Sequence, residues 1–375
     1  MSTHNSQIKL NATAQPIPDL TIDLFADKQY TSNLRETFRI DQSDAITFNY
    51  ESLLGNTQGN FSMSTLMIKT FFSSGTQELS ENFESFKANR LTIANRLSAA
   101  RPELPADLDA NGFPQSYGKT SQQVLLASFI AAYTGVSPDK VGLSAFDKTP
   151  IPNWNMKYTG LMRLDWFKDH FTRFTISHGY RAAYSVNSYA TNLEKENSTF
   201  NPETLDVRPD YIFNNLVLND EFNPLVRIDF ESKNNLSMLF EMKMDRALSM
   251  SFDNNLLTEI QGKEFTLGLG YRIKDVQFVT NIGGAKQRLK SDLNIKADLS
   301  LRDNYTLIRN LELDNTQVSA GQYFLSAKLR AEYALSQNLN ALFFYDFTFS
   351  KYAVSTAFPQ SLINTGISLR YNFGN

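Results

Sequence analysis

Apolar and polar residues alternate one by one along most of this chain, over runs longer than most folds can accommodate. Tyr323, Leu325, Ala327, Leu329, Ala331, Tyr333 and Leu335 oppose Gln322, Ser326, Lys328, Arg330 and Glu332. Leu293, Ile295, Ala297, Leu299 and Leu301 oppose Asp292, Asn294, Lys296, Asp298 and Ser300. Phe265 to Ile273, Leu236 to Met244, Val226 to Phe230 and Phe174 to Val186 repeat the pattern, and Ile8, Leu10 and Ala12 begin it. A period of two puts successive side chains on opposite faces of a strand, so each segment has one apolar and one polar face. The runs 319–335 and 339–352 are roughly 14 to 17 residues long, whereas soluble strands average about 5 to 6. A membrane-spanning strand needs ~9–11 residues. The final segment carries the same signature: Ile367, Leu369, Tyr371 and Phe373 alternate with Gly366, Ser368, Arg370 and Asn372. Alone, it also fits, less well, an edge strand of a soluble sheet. Its recurrence along the chain favours a transmembrane wall ending in an outer-membrane assembly strand.

Composition narrows the function classes. The chain has no cysteine, which excludes disulfides, thiolate metal sites and cysteine nucleophiles. A net charge of −3 leaves no electrostatic footprint for nucleic acid. No stretch approaches the ~18 apolar residues of a spanning helix, and a mean hydropathy of −0.33 is what half-polar strands produce. The 29 Phe and 16 Tyr suit both β-strands and interfacial girdles. Membrane lipid is therefore an expected partner and nucleic acid is not. Residues 1–6 are polar and lack the charged-then-apolar pattern of a signal peptide. Because a barrel requires export, the expectation is that these residues are the downstream portion of a longer precursor.

The expected fold is all-β: a transmembrane antiparallel β-barrel wall of roughly a dozen strands with a mostly helical insertion. Residues 1–72 and 153–375 supply barrel strands, and 73–152 form the insertion, read as a cap or plug-like element. Within it, 80–99 has an amphipathic helical pattern around Phe83, Phe86, Leu91 (one step on), Ala94 and Leu97. Residues 121–133 predict a second, more apolar helix with Ser121 as N-cap and Gly135 at its stop. An insertion of about 80 residues far exceeds ordinary loop length, which fits either a functional element or a folded loop without one. Polar turns are expected at 167–169, 233–235, 302–304 and 336–338. Asp298, Lys328, Arg330 and Glu332 are the expected lumen-facing charges, while 246–290 admits two parities.

Catalytic constellations are scarce. His4 lies in a polar tail, His170 beside a turn and His178 on the apolar face of its strand. A lipid hydrolase built on His178 and a neighbouring serine is conceivable, but no partner spacing identifies it. His170 and His178 would stand about 26 Å apart on a strand, too far to share a metal. Gly268 and Gly270 form a GxG without the helix that phosphate binding needs, and more simply relieve crowding. Asp253, Asn254 and Asn255 suggest calcium but fit a turn as well. No enzyme activity and no cofactor or metal is expected.

Longer strings are more specific than alternation. Residues 151–161 (IPNWNMKYTGL), 245–259 (DRALSMSFDNNLLTE), 267–274 (LGLGYRIK), 290–299 (KSDLNIKADL) and 355–375 (STAFPQSLINTGISLRYNFGN) closely resemble the C-terminal part of the SprA/Sov family. The likeness extends to 89–94 (NRLTIA) and the insertion. These are giant outer-membrane translocons of the Bacteroidetes type 9 secretion system, also needed for gliding motility. The resemblance implies a single barrel of about 36 strands, of which this chain is the last third or so. It also implies secreted cargo proteins, a smaller outer-membrane barrel partner and a periplasmic plug protein as partners. A stand-alone outer-membrane porin or transporter barrel is the alternative.

Overall fold

A computed structural model describes residues 1–41, 49–52, 55–73, 80–105, 107–146, 149–282, 285–336, 338–354 and 358–373. Fifteen strands and four α-helices are distinguished among them. In chain order they begin with β1 (Ser2–Ala14), β2 (Leu20–Arg35), β3 (Phe38–Asp41), β4 (Asn49–Ser52) and β5 (Asn56–Ser64). The helices α1 (Ile68–Phe71), α2 (Glu81–Ala99) and α3 (Gln122–Thr134) follow, then β6 (Asn153–Tyr158) and α4 (Asp165–His170). The remainder is β7 (Phe171–Thr191), β8 (Tyr211–Phe213), β9 (Asn215–Ser232), β10 (Leu236–Ser251), β11 (Leu256–Ile282), β12 (Ala285–Asn310), β13 (Asn315–Ala334), β14 (Leu339–Tyr352) and β15 (Gln360–Tyr371).

Thirteen strands form one sheet in the order β1-β2-β5-β7-β9-β10-β11-β12-β13-β14-β15, with β6 bridging β2 and β7, and β8 on β7. Every pairing is antiparallel. β3 and β4 make a separate hairpin. The all-β antiparallel wall with a helical insertion is therefore the observed fold. Among the described residues, neither β1 nor β15 pairs on its outer side, so the wall is open at both ends. Both end strands are exposed over nearly their whole length.

The turns at 233–235 and beside 336–338 fall where alternation lapses. The other two expected turns do not form. Residues 167–169 lie inside α4, and 302–304 lie inside β12, where Asp303 pairs with Lys263 and Tyr323 across the ladder. Polar residues at 302–304 read as a turn, yet flanking strand pairing satisfies their backbone and overrides that local preference.

The insertion starts earlier than expected, since β5 ends at Ser64 and α1 already belongs to the helical part. The Ser80 side chain accepts a hydrogen bond from the Phe83 amide and starts α2. Ser121 precedes α3, but its hydroxyl makes no cap bond. Gly135 ends α3 at φ +69°, a left-handed conformation that glycine adopts without cost. Phe83, Phe86 and Ile93 of α2 and Leu125, Phe129 and Tyr133 of α3 bury themselves against Tyr180, Tyr184, Val186, Leu216, Leu218, Leu248, Met250 and Leu257 of the sheet. A smaller cluster of Ala94, Phe113, Tyr117, Val124 and Val207 ties the 101–118 loop to both helices.

Candidate functional site

The register fixes which residues share a face of the wall, and two faces of opposite character result. Leu329 pairs with Ala297 and Tyr345, Leu299 with Leu267, and Phe240 with Leu267 and Ile228. Along the β14–β15 ladder, Phe343 meets Ile367 and Ala341 meets Leu369. One continuous apolar face therefore runs from Phe174 and Ile176 on β7 to Ile363, Ile367, Leu369 and Tyr371 on β15. It carries no Asp, Glu, Lys or Arg between Val226 and Phe230, Phe265 and Ile273, Leu293 and Leu301, Leu325 and Tyr333, or Ala341 and Phe349. Its side chains are exposed rather than packed: Leu269, Leu299, Leu329 and Phe343 all remain more than a third accessible. Ile367 and Leu369 are more exposed still, and Phe373 lies past the strand end with its ring 4.8 Å from that of Tyr371.

The opposite face holds the charges. Asp298, Lys328, Arg330 and Glu332 all lie on it, as the alternation predicts. Asp298 sits directly across from Lys328, and Lys328 across from Asp346, which places opposite charges side by side over three strands. Arg330 reaches Asp346 at 3.6 Å. On the neighbouring strands Arg173 pairs with Asp229 at 2.7 Å, and Arg227 with Glu241 at 3.0 Å. Both signs are interspersed, so no single-sign field builds up along this surface.

Gly268 and Gly270 also lie on the charged face. A Cβ at Gly270 would stand 2.4 Å from Ser237 Oγ, and one at Gly268 would stand 3.2 Å from Asp298 Oδ1. The pair leaves a shallow trough of about 240 Å³ bordered by Arg173, Asp229, Ser237, Lys296 and Asp298. Crowding from neighbouring strands explains the two glycines, as the residue types suggested.

Length along a single strand gives the apolar face a dimension. On β13, Tyr323 and Tyr333 bracket Leu325, Ala327, Leu329 and Ala331, ten positions apart on one face. At ~3.3 Å per residue and a strand tilt near 40°, this is a band about 25 Å tall with an aromatic residue at each border. That is the height of the apolar band of an outer-membrane barrel.

On the apolar face, charges are enclosed under the insertion, and Lys263, Asp303 and Lys351 lie in the border row of Tyr323. Arg246, Glu259 and Lys263 make the parity of 246–290 ambiguous in the sequence. Arg246 and Asp220 lie on the apolar face, fully enclosed, joined through Nε at 3.0 Å and Nη2 at 2.8 Å. Arg246 Nη1 also donates to the Thr70 carbonyl at 2.9 Å, so the pair clamps α1 to the wall. Arg309 and Glu259 make a second enclosed pair at 3.0 Å, with the guanidinium 5.3 Å from the centre of the Phe83 ring. Above them, burial pushes the Tyr133 phenol well above its ordinary range. The period-two reading had no means of finding these four residues, because a charge on an apolar face breaks the pattern unless a partner is known.

Each histidine has a packing role. His178 donates from Nδ1 to the Leu225 carbonyl at 2.7 Å, and its ring packs between Trp154 and Phe222. His170 Nδ1 lies 2.7 Å from the Trp166 carbonyl and stacks on that indole, while His4 leans on Tyr30. Asp253 and Asn254 occupy the β10–β11 turn, where Asn255 adopts φ +54° and donates to Glu312 at 2.7 Å. Among the described residues, no group of three or more His, Asp or Glu is placed to hold a metal ion.

No family model matches the chain, and no curated protein matches it. Among solved structures it is similar to OmpT of Vibrio cholerae, an outer membrane protein folded in vitro and determined in its trimer form. The identity is 8%, covering 98% of this chain and 96% of that chain, with a TM-score of 0.22. At that score the likeness decides neither topology nor role; the antiparallel wall stands on the pairings of this chain itself.

Proposed function

We propose that this chain is a segment of the wall of a protein-conducting outer-membrane translocon, of the kind used in type 9 secretion and gliding motility. The observation that carries the membrane part is the division of charge between the two faces of one sheet: an exposed charge-free band about 25 Å tall on one side, and interspersed charges on the other. The apolar face meets lipid, and the charged face lines water. The translocon part is supported by the SprA/Sov-like strings and by the open outer edges of β1 and β15, which need further strands to satisfy their backbone groups.

Transport through such a wall needs no chemical step. Asp298, Lys328, Asp346, Arg330 and Glu332 keep the lumen surface hydrated, and their neutralised neighbours give a passing folded protein no single-sign surface to bind. Secreted proteins are the cargo on this reading, with a smaller barrel and a periplasmic plug protein as partners. A stand-alone porin would have to join β1 to β15, and no such pairing is present among the described residues.

The apparent mass of the native polypeptide in source membranes tests the proposal, using an antibody raised against 80–132. A band several times larger than 42.5 kDa in the outer-membrane fraction is the expected result. A 42.5 kDa band there would replace the translocon by a small barrel, and a soluble band would remove the membrane assignment altogether.

A further inference from the structure

The helical insertion packs on the apolar face, not on the charged one. Its sheet contacts are Tyr180, Tyr184, Leu216, Leu218, Leu248 and Met250, which share a face with Phe174, Ile228 and Phe240 farther along the same strands. Two different media therefore cover one surface: the helices at one end of the strands, and nothing in the exposed charge-free zone. At their junction, Phe71 and Phe72 project from the end of α1 onto Phe222, with ring centres 4.8 and 5.3 Å away, and Phe72 remains 56% exposed. Phe222 pairs with Met244 in the same row, and Met244 pairs with Lys263, which lies across from Asp303. Toward the insertion the next residues on this face are Asp220, Arg246 and Gln261; away from it they are Val226, Met242 and Phe265. The exposed Phe72 ring thus stands where charge ends and the bare apolar band begins.

We propose that the insertion is an external collar, clamped outside the wall and resting on the bilayer, with Phe72 and its surroundings in contact with lipid of the adjacent leaflet. This rests on the assignment of the apolar face to lipid. The surface is continuous with that band, and its occupant has the same chemistry. Lipid tails suit Phe72 and Met244, and head groups suit Lys263 and Asp303. Glu84 and Leu91 on the outward side of α2 are exposed, and beside them the mostly covered Lys87 pairs with Glu84 and with Asp314 of the wall. The insertion leaves the wall partway along it, between Ser64, across from Ala183, and Trp154, across from Tyr180. The strand ends on its side carry the long connection 192–214 beside the short turns 252–255 and 311–314, while 233–235 at the other end is short. Long loops mark the extracellular end of bacterial barrels, which makes the contacted lipid that of the outer leaflet. A collar in this position leaves the charged lumen face uncovered by α2 and α3.

These 375 residues hold no cysteine, so single cysteines placed in them report specifically in the native protein in lipid nanodiscs once any cysteine elsewhere in it has been replaced. Nitroxides placed by Phe72→Cys, Leu329→Cys, Leu91→Cys and Lys328→Cys are compared for collision with oxygen, which favours lipid, and with a water-soluble nickel chelate. The expected result is a lipid-like ratio at Phe72, lower than that at Leu329 because Phe72 lies at the border of the band and Leu329 near its middle, and water-like ratios at Leu91 and Lys328. A water-like or occluded label at Phe72 with a lipid-like one at Leu329 overturns the collar and leaves the wall intact. A water-like label at Leu329 overturns the wall, and the collar with it. Phe72→Trp, quenched by brominated lipid relative to the unsubstituted protein, repeats the reading with a ring in place and guards against local disruption by the label.

Discussion

Introducing a charge at the middle of the apolar band gives the sharpest test of the two-face assignment. Leu329 lies six residues from Tyr323 and four from Tyr333, so the bordering rings stand about 20 and 13 Å away along the strand. Its cross-strand neighbours are Ala297 and Tyr345, and no carboxylate shares its face within the band. An arginine in Leu329→Arg has no acid to pair with and must reach past a border to find water. At the midplane of a barrel this costs ~2–4 kcal/mol. That corresponds to a folding equilibrium about 30- to 900-fold less favourable, at ~1.36 kcal/mol per power of ten. Thr348→Arg places the same charge on the other face, between Ser326 and Leu362 and two residues from Asp346. In a wet lumen it changes stability by no more than about 0.5 kcal/mol. Urea unfolding of the protein reconstituted in phosphatidylcholine bilayers measures both. Equal effects from the two substitutions, or a loss below about 1 kcal/mol for Leu329→Arg, would refute the reasoning.

Three further outcomes follow from the same geometry. Arg246→Met strands the enclosed Asp220 carboxylate and frees the Thr70 carbonyl, at a cost of about 3–5 kcal/mol, whereas Arg246→Met with Asp220→Leu recovers most of it. Hydrogen exchange of the α1 amides reads the lost Thr70 contact, which both variants share, and protection unchanged from the unsubstituted protein would contradict the clamp. Gly59→Ala would push a Cβ to 1.9 Å from the Thr31 carbonyl and 2.7 Å from the Tyr189 hydroxyl, so β2 and β7 must separate at a cost of about 1–3 kcal/mol. An unchanged urea midpoint would show that this contact yields freely. Finally, burial raises the Asp206 carboxyl above its ordinary value, although the Gly118 amide and Thr204 hydroxyl pull it down. The folded state then favours the protonated acid, so stability is full below the unfolded value near ~3.9 and falls as pH rises through the folded value. Asp206→Asn removes that fall, and the Val207 amide, which donates to the Ser116 carbonyl, should exchange more slowly at pH 7 in the variant but not at pH 3.

The wall was legible in the sequence because one face is apolar and the other charged, which imposes opposite requirements on alternate residues, and β11, β12 and β13 obey both over their central stretches. The helices were legible for an equally local reason, the apolar spacing of Phe83, Phe86, Ala94 and Leu97 and the Gly135 stop, although Leu91 is exposed and the expected cap Ser121 makes no side-chain bond. Hidden were the features set by non-local partners. Arg302 to Asn304 look like a turn until Lys263 and Tyr323 are known to flank Asp303. Residues 20–35 and 56–64 give weaker alternation, and β2 and β5 take their places through pairing with each other and, for β5, with β7. The enclosed pairs Arg246–Asp220 and Arg309–Glu259 join residues 26 and 50 positions apart. No window of sequence that reads strands contains both ends of either pair.

Those two pairs also explain how one face can serve two media without changing parity. A strand that leaves the bilayer could swap its faces through an extra residue, turning apolar side chains inward and charges outward. Here the ladder shifts near Pro224, which lacks the amide a regular pairing would use, yet Tyr180 still meets Phe222 and Phe174 still meets Phe230. The apolar face simply continues beyond the band, and there it would meet water. Helices α2 and α3 cover it, with enclosed ion pairs at the positions where the strands carry charge. A lumen-filling plug would need the same helices on the charged face, against Asp298 and Lys328, where they make no part of the core. The placement of the insertion thus follows from strands longer than the charge-free band: the apolar surface beyond the band needs a cover, and the cover lies on the apolar face.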